Sequence, residues 1–203
     1  MSTVTAARPR PRRTFSPPPL ASPAVRRLTV DEYERIIDQL DDDRVELIDG
    51  YLVTKMSQKP PHIWSVDSLE ELLKARIGPT WSVRRERPVR IPDFDEPEPE
   101  VAIVRGTRAT YRTRHPGPED VALIVEVSDT TYDRDRGPKW TNFARAGIPV
   151  YWIVNLAERR VEVYSRPGKG GYRSRKDFTA GQQIPVAIGG AKLRPIAVDD
   201  ILP

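Results

Sequence analysis

Glu126 stands inside Val-Ala-Leu-Ile-Val-Glu-Val-Ser, a run that otherwise reads as a buried strand. An unpaired carboxylate in that setting is expensive, so Glu126 needs a cation, either a basic side chain or a metal ion. Both readings stay open on the residues alone. Strand residues alternate sides, which puts Glu126 and Ser128 on one face and Val125 and Val127 on the other. Glu100 sits at the mouth of a second apolar run, residues 101–104, directly after Pro99. Two neighbouring strands would set Glu100 beside Glu126, where like carboxylates repel unless a divalent ion lies between them. Against this, Glu100 closes an acidic turn with Asp93, Asp95, Glu96 and Glu98, which solvent alone could satisfy.

Composition narrows the cation. The 203 residues include no cysteine and two histidines, His62 and His115. Disulfides, thiolate metal sites, cysteine nucleophiles and histidine-rich cages are therefore excluded, and any metal must sit on oxygen ligands. Such ligands suit hard cations such as Mg²⁺ or Mn²⁺. Two other chemistries lack their motifs. Gly168, Gly170 and Gly171 beside Lys169 are not followed by the Gly-Lys-Ser/Thr pattern of a phosphate loop and read as a turn. No Gly-x-Ser-x-Gly elbow is present for a serine hydrolase.

Residues 1–27 hold six arginines (Arg8, Arg10, Arg12, Arg13, Arg26, Arg27), six prolines and no acid. The formal charge of +4 belongs to this segment, since the other residues carry 27 Lys+Arg against 29 Asp+Glu. Few large apolar side chains are available there to offset ordering entropy, so an unfolded tail is expected. It could be a solvated spacer, a nonspecific phosphate-binding arm or a transit sequence. Residues 28–203 suffice for one domain. No apolar run is long enough to span a bilayer, and no secretory signal follows the early arginines, so the expected location is the cytoplasm.

The elements that must position the two acids follow from periodicity. Thr29 and Glu32 form a capping box for a helix with Tyr33, Ile36, Ile37 and Leu40 on one face, ending near Asp41. Residues 44–49 and 51–56 alternate around Asp49-Gly50, a two-residue hairpin signal. Apolar spacing predicts an amphipathic helix over 62–77, closed by Gly78-Pro79. Strands are expected at 81–85, 88–91, 101–104 and 121–127, the last two central. A helix over 137–146, stopped by Gly147 and Pro149, leads into an apolar strand at 150–156, and residues 160–165 pair back. Strand, helix and strand in that order predict a crossover joining parallel neighbours. The C-terminal stretch reads as a further hairpin and short edge elements.

Five stretches, in this order, resemble the Uma-type restriction endonuclease family of the PD-(D/E)XK nuclease superfamily. They are Val45-Glu46-Leu47-Ile48-Asp49-Gly50, Pro99-Glu100-Val101-Ala102-Ile103-Val104, Ile124-Val125-Glu126-Val127-Ser128, Asp135-Arg136-Gly137-Pro138-Lys139, and residues 146–154 with their Tyr151-Trp152 pair. The similarity covers residues 28–203. It implies an α/β, restriction-endonuclease-like domain with a mixed central sheet flanked by helices, and an endonuclease that hydrolyses DNA phosphodiesters with Mg²⁺ or Mn²⁺.

Carried over by position, the resemblance makes Glu100 the counterpart of the acid in the superfamily's Pro-Asp step and Glu126 the second metal ligand. Glu46 becomes an acid of the first strand, able to add a ligand or a supporting hydrogen bond. The superfamily lysine two positions after the second acid is absent, because Ser128 stands there. Lys139, from the following helix, is its substitute, and Asp135 fits the family's acid just before that helix. Such chemistry requires carboxylates to hold the cation and a lysine to steady a water or the developing charge. Without the resemblance, Lys139 reads equally as an exposed amine. His62 could approach the cleft in a supporting role, or could cap or pack its helix. Two departures stand out: Glu replaces Asp at position 100, and Val150 stands where the family has an acid. An inactive nucleic-acid-binding or protein-interaction module on the same fold is the alternative. The resemblance also admits a homodimer, with one site for each DNA strand.

Overall fold

The computed structural model describes residues 26–40 and 44–203. Residues 1–25 of the expected tail and the expected helix end at Asp41 thus lie outside the described residues. Arg26 and Arg27, assigned by sequence to that tail, engage the fold. Arg26 pairs with Glu32, while Arg27 pairs with Asp49 and lies 3.9 Å from the centre of the Phe94 ring.

Thr29 and Glu32 cap α1 (Val30–Ile36) reciprocally, and a 3₁₀ turn (Ile37–Gln39) ends it. β1 (Val45–Ile48) and β2 (Tyr51–Thr54) then form an antiparallel hairpin. Asp49 and Gly50 have φ of 52° and 81°, the left-handed pair that matches a two-residue turn to strand twist. α2 (Pro60–Lys74) starts earlier than expected because proline is well placed in a first turn, where its missing N–H has no helical partner.

The main sheet has six strands: β3 (Trp81–Arg85), β4 (Val101–Arg105), β5 (Val121–Ser128), β6 (Val150–Asn155), β7 (Arg160–Ser165) and β8 (Ser174–Thr179), side by side in that order. All pairs are antiparallel except β5 and β6, which the helical crossover joins in parallel. β9 (Gln183–Ile188) and β10 (Ala191–Ala197) form a separate C-terminal hairpin. Val66, Leu69 and Leu73 of α2, with Ile184 and Val186 of β9, bury one sheet face against Ile103, Leu123, Val125 and Trp152. The other face carries Ala102, Ile124, Tyr151, Ile153 and Tyr164 beneath Phe143 and Ile148. Each such aliphatic side chain contributes about 1.5–3 kcal/mol, so the strands that present the acids are firmly fixed. Among the described residues no helix is long and apolar enough to cross a membrane.

Two expected elements are corrected. Residues 88–91 form no strand: Pro88 has no N–H to give a ladder, and Glu86 turns the chain with φ of 47°. The amides of Val89 and Arg90 bond Pro97 and Pro116 instead, and Ile91 makes an isolated bridge to Asp95. The helix expected from Gly137 begins five residues earlier. It runs as α3 (Tyr132–Arg134), a π turn (Asp135–Lys139) and α4 (Trp140–Arg145). Pro138 inside it, which signals a break in an α-helix, is accommodated where the ladder widens.

The loop into β4 contributes a buried acid with a pH signature. Burial, and after it the adjacent Glu34, pushes the Glu96 carboxyl up to about 8. Folding therefore takes up a proton between the ordinary glutamate range and about 8, and stability falls as pH rises through that window. Glu96→Gln removes this contribution: its melting temperature is expected to overtake that of the wild type at pH 8 and to depend less on pH between 5 and 8. A pair of thermal melts at these two pH values checks it.

Candidate active site

The register of β4 on β5 pairs Val101 with Val125, so one further step sets Glu100 beside Glu126 at the end of the sheet. The Glu100 amide donates to Glu126 Oε2 (3.4 Å). Both carboxylates line a cleft with Glu46, Gln58, His62, Arg134, Asp135 and Lys139. All six residues singled out from the sequence therefore meet around one space.

The π turn positions Lys139. The widened turn carries its side chain inward, where it is 3% exposed, so the exposed-amine reading does not describe it. Its ammonium lies 2.8 Å from Glu126 Oε1 and 3.0 Å from Glu46 Oε2. Glu46 also accepts from the Glu98 amide (3.1 Å), and Arg134 approaches its other oxygen at 3.9 Å. Asp135 accepts from Ser128 and Thr131 hydroxyls, each at 2.6 Å, tying the start of the π turn to the end of β5. Ser128 thus serves as a tether for the turn that delivers Lys139.

His62, in the first turn of α2, places Nε2 3.0 Å from Glu100 Oε1, although off the line of a hydrogen bond. Gln58 donates to the other Glu100 oxygen (3.2 Å) and to Glu86 (2.6 Å). Val150 opens β6 opposite Ser165.

The cluster is rich in negative charge. Burial pushes the Glu126 carboxyl up to about 8; Lys139 opposes the shift, while Asp135, Glu46 and Glu100 add to it. Burial alone would raise Glu46 too, but Lys139, Arg134 and the Glu98 amide hold it below its usual range. Lys139 stays firmly protonated, because the pull of Glu126 and Glu46 outweighs its burial.

Among the described residues no three His, Asp or Glu side chains converge as a ready metal cage. Lys139 pairs with both Glu46 and Glu126, and Glu46 is further occupied by the Glu98 amide and Arg134, so Glu100 and Glu126 are the adjacent oxygen donors. That pair suits Mg²⁺, which keeps several waters and commonly takes one or two carboxylates together with substrate phosphate. The uncompensated charge around Glu126 is what a divalent ion would neutralise.

Sequence reasoning missed Gln58 and Arg134, whose polar side chains carry no periodic signal. It also missed the buried Glu162, on the same sheet row as Glu126 through Ile153. Tyr132 donates to Glu162 (3.1 Å), anchoring the start of the helical segment. Further along that segment, Trp140 packs where a Cβ on Gly171 would fall 1.8 Å from its ring, at φ of 119°. Gly171→Ala is therefore expected to cost about 1–3 kcal/mol, read from the denaturant midpoint, and to loosen the seating of the adjacent Lys139.

The fold is that of a restriction-endonuclease-like α/β protein. The chain belongs to the Uma2 family, whose model, described as "Putative restriction endonuclease", matches residues 30–195. A solved structure described as a putative nuclease belonging to DUF820, from Anabaena variabilis ATCC 29413, superposes with a TM-score of 0.65 at 15% identity. That match covers 86% of this chain and 97% of the other. No curated protein matches the chain. The family points to a nuclease.

Proposed function

We propose that the protein is a cytoplasmic, metal-dependent endonuclease that hydrolyses DNA phosphodiester bonds at the cleft formed by Glu100, Glu126 and Lys139. The observation that carries this reading is a buried lysine held between two carboxylates, beside a third carboxylate, in a family described as "Putative restriction endonuclease". Glu100 and Glu126 would hold Mg²⁺ or Mn²⁺. Such an ion, when bound, supplies a Lewis acid for the phosphate and acidifies a water.

The chain's own residues provide the rest. Lys139 is kept charged by Glu126 and Glu46, so it can steady negative charge developing on the phosphate without first capturing a proton. Glu46 acts here as a partner of Lys139. Asp135 and Ser128 fix the turn bearing that lysine, and His62 and Gln58 orient Glu100.

Closed circular plasmid tests the reading, because it has no ends for an exonuclease. Nicks are expected with Mg²⁺ and with Mn²⁺, and none with EDTA. DNA retained at low salt but never cut would favour an inactive binding module on this scaffold. A homodimer is the assembly proposed for cutting both strands; light scattering that shows only monomer at micromolar concentration would remove it.

A further inference from the structure

The domain is slightly acidic overall, yet the β3 edge of the sheet carries a dense group of arginines. From Arg105 to Pro118 the chain holds Arg105, Arg108, Arg112 and Arg114 and no acid. Residues 106–117 connect β4 to the turn before β5, and beside them β3 and the loop after it supply Arg84 and Arg87. Acids neutralise some cations of this region: Arg114 pairs with Asp120 (2.6 Å), and Arg90 pairs with Asp31 and Glu34. Arg84, Arg87, Arg105, Arg108 and Arg112 have no carboxylate within 4 Å among the described residues, and all but Arg84 are exposed. Their neighbours are aromatic. Arg84 lies 5.2 Å from the centre of the Tyr111 ring, and Arg105 lies 4.7 Å from that of Trp81.

Arg84 is the most informative of the five. Its Nε is buried without a hydrogen-bond partner. Burial and then the neighbouring Arg87 depress its guanidinium, against a smaller opposing pull from Tyr111. Five unpaired guanidiniums, two of them stacked on rings, form the kind of surface that receives a polyanion: rigid donor forks with phosphate geometry.

The position of the patch relates it to the site. Arg84 is paired with Ala102 across β3 and β4, so it shares the sheet face of Ala102 and, two residues earlier, of Glu100. One strand spacing and two residues of rise separate Arg84 from Glu100, roughly 8 Å. Arg105 and the loop that follows it lie at the other end of β4, five residues or roughly 17 Å from Glu100, so the arginine edge runs away from the site along β3 and β4.

We propose that this arginine edge, formed by β3 and the loop of residues 106–117, receives the phosphate backbone of duplex DNA along a line that runs from the candidate active site to the far end of β4. The proposal rests on the nuclease reading for its choice of partner. It assigns substrate binding to a folded surface, where composition alone points to the arginine-rich N-terminal segment.

The test is the salt dependence of binding to a fluorescent DNA duplex, by anisotropy in EDTA so that no strand is cut. It uses the full chain, the quadruple variant Arg87→Gln/Arg105→Gln/Arg108→Gln/Arg112→Gln and the single reversal Arg108→Glu. A second quadruple variant, Arg8→Gln/Arg10→Gln/Arg12→Gln/Arg13→Gln, measures the N-terminal segment. Thermal melts show whether each remains folded, and the exposed Arg108→Glu keeps the test valid if the first quadruple does not.

The edge variant is expected to bind at least about tenfold more weakly at low salt, its log–log salt slope shrinking by about 0.9 for each phosphate it no longer neutralises. Arg108→Glu should shift both in the same direction. Wild-type binding by the edge variants, or loss of the whole slope in the N-terminal variant alone, would overturn the proposal. So would failure of the wild type to bind duplex DNA, or binding confined to RNA. Hydrolysis of bis(p-nitrophenyl) phosphate, too small to reach the edge, reports the site separately. Edge-dependent DNA binding without any hydrolysis would support the surface while sinking the nuclease reading.

Discussion

Lys139→Ala is expected to lose both stability and cleavage. The substitution leaves Glu46 and Glu126 buried with no ammonium between them. Removing one partner of a buried ion pair costs about 3–5 kcal/mol, and each kcal/mol is worth about 2–4 °C in a chain of this size. A fall in melting temperature on the order of 10 °C follows at neutral pH. Proton uptake by Glu126, whose carboxyl burial already raises, should soften the loss as the pH is lowered. The double variant Glu126→Gln/Lys139→Ala should recover part of it, since one carboxylate fewer is left uncompensated. Cleavage has no such rescue: loss of a charge aimed at the developing negative charge costs about 10²–10³-fold. A Lys139→Ala protein that melts with the wild type would show that this lysine is not the centre of the buried network.

Glu126→Gln separates the two properties that Lys139→Ala removes together. The amide keeps the shape of the side chain, and Lys139 retains Glu46 as its partner. Burial and three neighbouring carboxylates work against an ionised Glu126, and the neutral amide is exempt from that penalty. Folding stability is therefore expected to hold or to rise slightly. The variant should nevertheless lose cation binding and cleavage. Wild-type protein is expected to melt at a higher temperature with millimolar Mg²⁺ or Mn²⁺, as for any ligand that favours the native state. Glu126→Gln should show no such rise. A folded Glu126→Gln protein that keeps its metal-dependent rise would place the cation elsewhere.

The parts of this site legible in the sequence were those with a periodic or compositional signal. Glu126 was visible because a charge interrupts an apolar strand, and the Asp49-Gly50 turn because its residue types favour positive φ. The parallel pair β5 and β6 followed from strand, helix and strand in order. Lys139 gave no such signal. A lysine near a proline in a helix reads as surface, and only a family resemblance brought it inward; physically, the π turn over Asp135–Lys139 brings its side chain into the cleft. The same turn explains the difference at the helix start: Gly137-Pro138 carries the marks of a beginning although the segment already runs through it. Gln58 and Arg134 were hidden because their partners are distant in sequence, and the arginine edge because net charge averages over surfaces that the fold keeps apart.

The most direct test of a metal-dependent site at Glu126 and Lys139 is the single-turnover nicking of closed circular DNA by purified wild type, Glu126→Gln and Lys139→Ala, each with Mg²⁺, Mn²⁺ and EDTA. Metal-dependent nicks are expected from the wild type, and a rate at least about 10²-fold lower in each variant, with Glu126→Gln still fully folded. Nicking that persists in EDTA, or equally in a folded Glu126→Gln protein, would contradict such a site.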